Sequence, residues 1–237
     1  MQLPRIFEDD KGLYPHLKGK PKISYSQYSS YKDLEYQNDY YVQYFSGIKL
    51  PSGEFAEFGS SCGEYIQHIG EKNKTPDRGC LSLEDCEILL SKVDYPDNCI
   101  YEEEIIIDCG DFCAQGFIDR ACYDGKNVEI RDYKSLNLSK PEKYESEDYN
   151  QTTLYCYERE QRGFKVTKSE VFGLGRKGSS LSGTGNFKMR LSGEVKVIPT
   201  PYSKERAEKA LKDLKQVAEK ISEDYKIFLK YFGSKNK

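Results

Sequence analysis

The stretch GFIDRACYDGKNVEIRDYKS, residues 116–135, decides the fold of this chain. It contains two segments of strand-like residues on either side of Asp124-Gly125, a dipeptide typical of tight β-hairpin turns. Because side chains alternate along a strand, a two-residue turn at this dipeptide places Asp119, Asp132 and Lys134 on one face of the hairpin. The two aspartates are then diagonal neighbours, about 7 Å apart at Cα.

The length of the turn decides whether the two aspartates meet. A four-residue loop would place them directly opposite each other, and a three-residue loop would move them to different faces. With two or four residues in the loop, the shared face also carries Val128 and Ile130, so it is a core face. Two carboxylates at the end of an apolar face repel each other, which is costly unless a cation lies between them.

A pair of carboxylates at this separation suits Mg²⁺ or Mn²⁺, since these hard cations take one or two carboxylates and keep several waters. Lys134 points to the same side and can orient or activate a water molecule, or neutralise charge on a phosphate. The alternative is a surface ion pair between Asp119 and Lys134, with Asp132 at the end of a strand.

The flanking sequence predicts a mixed α/β chain with N-terminal helices and a long C-terminal helix. The periodicity predicts helices from near Tyr31 to Gly47, over 60–71, over 82–92 with Ser82 as N-cap, over 145–160 and from Ser203 to Phe232; strands over 101–110, 164–173 and 186–198; and loops at LPSGEFAEFG and GLGRKGSSLSGTGN. The absence of a repeat or a clean linker favours one domain over 1–237.

Composition excludes several classes of protein. Hydrophobic residues make up only 37% of the 237 residues, but 11 Phe and 20 Tyr supply a core, so global disorder is not expected. No apolar run approaches the roughly 18–20 residues that span a bilayer, and the first residues lack a secretory signal. We therefore expect a cytoplasmic protein with no membrane partner.

The eight cysteines are expected to be reduced and mostly buried. Neither the size of the chain nor its targeting favours disulfides, and the pairs Cys80/Cys86 and Cys109/Cys113 lack the spacing of a zinc site. A metal or Fe–S role is the alternative.

Charge is distributed unevenly along the chain. From Arg162 onward there are 18 Lys/Arg against 8 Asp/Glu, whereas the first 161 residues hold 18 against 31. A basic C-terminal third beside an acidic body suits a protein that holds a polyanion and a cation. Two solvated faces of opposite sign would give the same count.

Three motifs in order resemble the PD-(D/E)XK nuclease superfamily, in particular its RecB-like and Cas4-like exonuclease branch. They are GFID (116–119), DYKS (132–135) and QTTLY (151–155). The resemblance implies a restriction-endonuclease-like core, a mixed β-sheet flanked by helices. It divides the single domain into a helical part (23–95), a catalytic part (100–160) and a basic C-terminal part (161–237).

The resemblance also implies roles for the motif residues. Asp119 and Asp132, helped by the backbone carbonyl of Tyr133, would hold Mg²⁺ or Mn²⁺, and Lys134 would position the nucleophilic water. Glu64 is a candidate third acidic ligand, although a solvated helix charge is the alternative.

The helix motif supplies Gln151 and Tyr155, which lie four residues apart and so share a helix face. The resemblance implies that they steady the lysine or contact nucleic acid, whereas Tyr155 can also be interpreted as a core aromatic. Glu103 and Glu104 open the strand that leads to the site, and one of them is a further, weaker candidate.

The implied function is a metal-dependent DNA nuclease, an exonuclease of recombination, repair or phage replication that acts on single- or double-stranded ends. Arg176 and Lys177, in a flexible Gly/Ser setting, are candidate DNA contacts. A homo-oligomer or a recombination partner protein is possible. The Fe–S cluster of Cas4-like nucleases is not expected, since no cysteine follows Cys156. The alternatives are an inactive nucleic-acid-binding or assembly subunit with the same fold and a Cys-metal module.

Overall fold

A computed structural model describes residues 1–33, 37–73, 76–139, 141–145, 147–178 and 189–233. The strands are β1 (Arg5–Ile6), β2 (Pro21–Ser24), β3 (Cys99–Asp108), β4 (Cys113–Asp124), β5 (Asn127–Leu136), β6 (Lys165–Lys177) and β7 (Arg190–Pro199). The helices are α1 (Tyr25–Lys32), α2 (Gln37–Tyr40) with a π-helical turn at Tyr41–Phe45, α3 (Glu54–Gly70), α4 (Leu83–Lys92), α5 (Glu142–Glu145), α6 (Asn150–Gln161) and α7 (Lys204–Phe232).

The chain divides into two compact units, and strands β3 and β4 contribute to both. The first unit comprises Met1–Pro51, Glu104–Phe117 and Ser203–Lys237; the second comprises Ser52–Glu103 and Ile118–Tyr202. The candidate catalytic, metal and nucleic-acid residues of the sequence analysis lie in the second unit, except Glu104, the weaker candidate that lies in the first. The predicted single domain stays a prediction.

The first unit combines a small sheet with the long helix α7. β1 pairs antiparallel with β2, and β2 pairs parallel with the first residues of β4. Helix α7 is tied to α1, since Tyr31 donates a hydrogen bond of 2.6 Å from its hydroxyl to Asp224 Oδ2. None of the helices in the described parts of the chain combines the length and the apolarity needed to cross a lipid bilayer.

The second unit is built on a mixed sheet that carries helices on both faces. The end of β4 pairs antiparallel with β5, β5 pairs parallel with β6, and β6 pairs antiparallel with β7. On one face, α3 and α4 bury a cluster that includes Phe58, Ile66, Leu89, Tyr133 and Phe172. On the other face, Leu136, Val171 and Ile198 pack beside the start of α6. The predicted class, a mixed sheet flanked by helices with a long C-terminal helix, is confirmed.

Several predicted boundaries are wrong for local reasons. Helix α3 begins at Glu54, inside the stretch predicted as a loop, because Pro51 and Gly53 precede the helix rather than interrupt it. Helix α1 begins at Tyr25 with Ser24 as its N-cap, earlier than predicted. Helix α6 begins at Asn150 rather than at 145. Leu34, one of the predicted apolar positions of the first helix, lies outside the described residues.

The hairpin turn is shifted by one residue from its predicted place. Asp124 pairs with Asn127, so the turn residues are Gly125 and Lys126 rather than Asp124 and Gly125. Gly125 has φ +58°, a left-handed conformation that favours glycine. The shift keeps the same residues on each face but changes which residue of β4 faces which residue of β5.

The predicted loop after residue 173 begins later than expected, because β6 continues to Lys177. A Cβ on Gly173 would lie 2.5 Å from Leu136 Cδ1, and one on Gly175 would lie 2.4 Å from Ser192 Oγ. These glycines therefore permit close packing between strands. Most of the remaining predicted loop lies outside the described residues.

The N-terminus of α4 agrees with the sequence prediction. Ser82 and Asp85 form a reciprocal capping box, as their spacing predicts. Asp85 is fully buried and also accepts a hydrogen bond of 2.7 Å from the backbone N–H of Leu191. The cap therefore anchors α4 to β7.

The cysteine prediction is wrong for one pair. Cys99 at the start of β3 and Cys122 in β4 form a disulfide, because the two strands bring them side by side. The other six cysteines form no disulfide, and five of them are buried as predicted (Cys62, Cys86, Cys109, Cys113 and Cys156).

This pairing predicts the thiol content of the protein. Titration of the unfolded chain without reductant should detect six thiols, and titration after reduction should detect all eight. Reduction should also lower the free energy of unfolding by about 3 kcal/mol, since the bond closes a loop in the unfolded chain. Eight thiols in the unreduced protein would contradict the pairing.

Candidate active site

Two carboxylates face each other across the hairpin. The register pairs Arg120 with Arg131, and its extension by one pair places Asp119 opposite Asp132. The backbone N–H of Tyr133 donates a hydrogen bond of 2.6 Å to Asp119 Oδ2. The side chain of Asp132 is only 1% exposed, whereas Asp119 is half-buried.

The face that carries these carboxylates is apolar, as the sequence predicts. Val128 and Ile130 of β5 and Ala121 of β4 are 0–1% exposed. Because these neighbouring side chains are buried, the repulsion between the two carboxylates is screened less than it would be in open water. The predicted diagonal arrangement is replaced by a direct one because of the shifted turn.

Lys134 links the carboxylates to helix α6. Its Nζ atom donates hydrogen bonds to Asp132 Oδ1 at 3.0 Å and to Gln151 Oε1 at 3.1 Å. Gln151 in turn donates from Nε2 to the hydroxyl of Tyr155 at 2.7 Å. An ammonium has three N–H donors, and among the described residues these bonds use two, which leaves one for a water or a phosphate oxygen.

Burial and the neighbouring charges shift the pKa values of Asp119 and Lys134. Burial, followed by the charge of Asp132, raises the pKa of Asp119 well above its usual value, although Lys134 acts in the opposite direction. Burial acts to lower the pKa of Lys134, but the charges of Asp132 and Asp119 outweigh it and raise that pKa. The site therefore favours a positive charge.

Glu102 is an exposed acidic residue near the pair that the sequence analysis did not single out. Burial, followed by the charge of Asp132, raises its pKa, and Lys134 lowers it, so Glu102 lies within electrostatic range of the pair. Its φ of +49° is left-handed, which is uncommon for a residue other than glycine and is found preferentially at functional sites. A strand pattern assumes extended backbone, so the sequence EEE carries no signal for this placement.

The two neighbouring glutamates have structural partners instead. Glu103 accepts hydrogen bonds from Arg159 Nη1 at 2.7 Å and from the hydroxyl of Tyr123 at 2.5 Å. Glu104 accepts one of 2.7 Å from Gln115 Nε2. The structure thus assigns neither candidate to the site, and the bonds of Glu103 fix the strand beside Glu102.

The other two predicted metal-site residues are Glu64 and Tyr133. Glu64 on α3 is exposed, and its charge contributes to raising the pKa of Glu102. Tyr133 directs its N–H to Asp119 and buries its ring among α3 and α4. The ligand roles of the Glu64 carboxylate and the Tyr133 carbonyl remain predictions.

Arg176 and Lys177, the predicted nucleic-acid contacts, form the end of β6. Lys177 is exposed, whereas Arg176 is half-buried with its Cζ atom 4.2 Å from the ring centroid of Phe55. They therefore occupy an ordered strand rather than the flexible loop that the sequence predicts.

The donor set at the hairpin fits a divalent cation. Asp132 Oδ2 is buried and has no hydrogen-bond partner among the described residues, although Lys134 Nζ lies 2.9 Å away. Within the described ranges, no three His, Cys, Asp or Glu side chains are grouped closely enough to ligate one ion. Two facing carboxylates nevertheless match the way proteins hold Mg²⁺, with waters or substrate oxygens completing the shell.

Comparison with known families identifies the arrangement. A sequence model of the PD-(D/E)XK nuclease superfamily matches residues 62–228, about 70% of the chain. This range includes the facing aspartates, the lysine and the glutamine helix. Comparison with curated proteins gives no significant match.

Proposed function

The chain belongs to the PD-(D/E)XK nuclease superfamily, and we propose on this ground that it is a divalent-metal-dependent DNA nuclease. One observation carries the proposal: Asp119 and Asp132 face each other while Lys134 bonds both Asp132 and Gln151. An ion pair between Lys134 and Asp132 would not need a second carboxylate, and at Asp119 burial followed by the charge of Asp132 raises the pKa, which opposes the ionised form unless a cation is bound.

The proposed ligands of the cation are Asp119 and Asp132, with the carbonyl of Tyr133 and the carboxylate of Glu64 or Glu102 completing the protein's contribution. We include Glu102 because it lies within electrostatic range of both Asp132 and Glu64. A bound Mg²⁺ or Mn²⁺ would offset the charge of the carboxylates and of the phosphodiester.

The remaining residues act on the water and the phosphate. Hydrolysis joins a water oxygen to phosphorus, breaks the bond from phosphorus to the leaving oxygen, and transfers a proton to that oxygen. The unused N–H of Lys134 donates to the attacking water or to a phosphate oxygen, and Gln151 fixes the ammonium in that position. Tyr155 orients the amide of Gln151 through its hydroxyl.

The finer assignment is an exonuclease of the RecB-like branch that acts in recombination, repair or phage replication. It is supported by the order of GFID, DYKS and QTTLY in the sequence and by the bond between Lys134 and Gln151. Arg176 and Lys177 are proposed to contact the phosphate backbone, since both are cationic and lie at the end of β6.

A cleavage assay tests the proposal. Wild-type protein should degrade linear DNA in Mg²⁺ or Mn²⁺, should stop on addition of a chelator, and should spare a closed circular duplex if it acts on ends. Asp132→Ala should be inactive on every substrate, because it removes one of the two facing carboxylates. Cleavage by this variant at the wild-type rate, or no cleavage by the wild type on any single- or double-stranded substrate, would contradict the proposal.

A further inference from the structure

Arg159 of helix α6 is a buried cation that joins three elements of the second unit. Its side chain is only 1% exposed, and its Nε atom donates a hydrogen bond of 2.5 Å to Glu158 Oε2 on the same helix. Its Nη1 atom donates to Glu103 Oε1 on β3 at 2.7 Å and to the hydroxyl of Tyr123 on β4 at 2.9 Å. Because the hydroxyl of Tyr123 donates to Glu103 Oε2 at 2.5 Å, the three side chains form a closed ring of hydrogen bonds.

A buried guanidinium is a costly way to fill the space under a helix. Burial acts to lower the pKa of Arg159, but the charges of Glu158 and Glu103 outweigh it and raise that pKa, so the side chain stays charged. Apolar side chains of similar size often give equal or higher stability than a buried ion cluster. Hydrogen bonds add direction, because they require a defined distance and angle. The ring therefore fixes both the rotation and the axial position of α6 against β3 and β4.

The same stripe of α6 carries the contact to Lys134 at its other end. Gln151, Tyr155 and Arg159 are spaced four residues apart, so they lie along one face of the helix over about 12 Å. Gln151 accepts the hydrogen bond of 3.1 Å from Lys134 Nζ. This distance is near the long end of the usual range, so a shift of α6 by about 1 Å would break the bond.

We propose that Arg159 is a positioning residue for the cleavage reaction: by fixing α6 to β3 and β4, it holds Gln151 against the ammonium of Lys134. This inference rests on the proposed nuclease function. Arg159 lies two helical turns from Gln151, so its effect reaches the ammonium through the helix rather than by contact. Helix α6 is in this view a rigid bracket, anchored at one end by the ring of hydrogen bonds and bonded to Lys134 at the other.

A loosened α6 should slow the chemical step rather than weaken substrate binding. The proposed contact of Lys134 strengthens during attack on phosphorus, so an ammonium that is no longer held in place stabilises the transition state less. A misplacement of about 1 Å in an active site costs on the order of a hundredfold in rate. Replacement of Arg159 should therefore change kcat much more than KM.

A double-mutant cycle between Arg159→Met and Gln151→Ala tests this role. Cleavage of linear DNA is measured over a range of substrate concentrations, at a temperature below the unfolding midpoint of every variant. Each single change should lower kcat by about ten- to a hundredfold and change KM by less than about threefold. The double variant should be within about threefold of the slower single variant, because Arg159 acts through Gln151. Independent effects at two sites this far apart would multiply instead.

Three further variants separate positioning from folding. Tyr123→Phe removes one hydroxyl from the ring and keeps the aromatic side chain; it should lower kcat by about three- to tenfold and add nothing to Gln151→Ala. Arg159→Lys should recover part of the rate lost in Arg159→Met, because its ammonium can donate to Glu103. Arg162→Met is the matched control: Arg162 pairs with Glu158 at 3.0 Å from a side chain that is 40% exposed, and its loss should leave kcat nearly unchanged.

The outcomes distinguish the positioning role from the nuclease function. The positioning role is wrong, and the nuclease function stands, if wild-type protein cleaves DNA while Tyr123→Phe and Arg159→Met keep the wild-type kcat. The same holds if Gln151→Ala keeps that kcat, or if its loss multiplies with the loss in the ring variants. If wild-type protein cleaves no single- or double-stranded substrate, both proposals are wrong.

Discussion

Asp119→Asn should lower the rate of DNA cleavage by at least about a thousandfold, because the amide cannot replace a charged ligand of the cation. The same change should raise the thermal stability of the metal-free protein. Asparagine keeps an oxygen that can accept the hydrogen bond from Tyr133, and Lys134 keeps its bonds to Asp132 and Gln151. The measurements are initial cleavage rates and thermal unfolding in a chelator.

The raised pKa of Asp119 predicts how the stability of the metal-free protein changes with pH. The pKa of Asp119 is raised in the folded protein, so on raising the pH above about 4 the unfolded chain loses this proton first. Stability of the metal-free protein should therefore fall between that pH and the raised pKa of Asp119. Asp119→Asn removes this fall, whereas Mg²⁺ or Mn²⁺ should offset it in the wild type by mass action.

Glu129→Gln is the matched control, since Glu129 is an exposed carboxylate on β5. It makes the same chemical change outside the pair and should leave both the rate and the stability nearly unaltered. Full activity of Asp119→Asn, or a lower unfolding temperature of this variant in chelator, would contradict the charge-crowded site.

Lys134→Met should lower cleavage by about a hundred- to a thousandfold, because it removes a positioned donor and keeps the aliphatic length of the side chain. Both carboxylates remain, so we expect divalent cations still to bind and to raise the unfolding temperature. The loss should lie mainly in kcat, because the proposed contact strengthens during attack on phosphorus.

Lys126→Met provides the comparison for this variant. Lys126 is an exposed residue of the hairpin turn, so its replacement changes the charge of the same hairpin without touching the site. A wild-type rate for Lys134→Met, or an equal loss in both variants, would show that Lys134 has no role of its own.

The sequence predicted the hairpin because two independent patterns agree there. Val128 and Ile130 alternate with polar residues on one side of a glycine turn, and both are buried as expected. Which side chains share a face depends on whether the hairpin loop has an even or an odd number of residues, and not on which residues form the turn. The face was therefore correct although the turn residues were wrong by one.

The errors arose where one residue type serves two purposes. Gly173 and Gly175 favour a loop by composition, but both lie in β6, where a side chain would clash with neighbours. Such a close approach depends on residues distant in sequence, so no local pattern reveals it. Glu102 was missed for a related reason, since its left-handed backbone is set by tertiary structure.

The disulfide also has a practical consequence for enzymology. Cys99 lies three residues before Glu102, and Cys122 lies three residues after Asp119. The disulfide therefore links strands β3 and β4, which carry Glu102 and Asp119, at positions close to both acids. Preparations handled with and without reductant are two chemically distinct species. Specific activities and metal affinities should therefore be compared between preparations only when the oxidation state of this pair has been fixed.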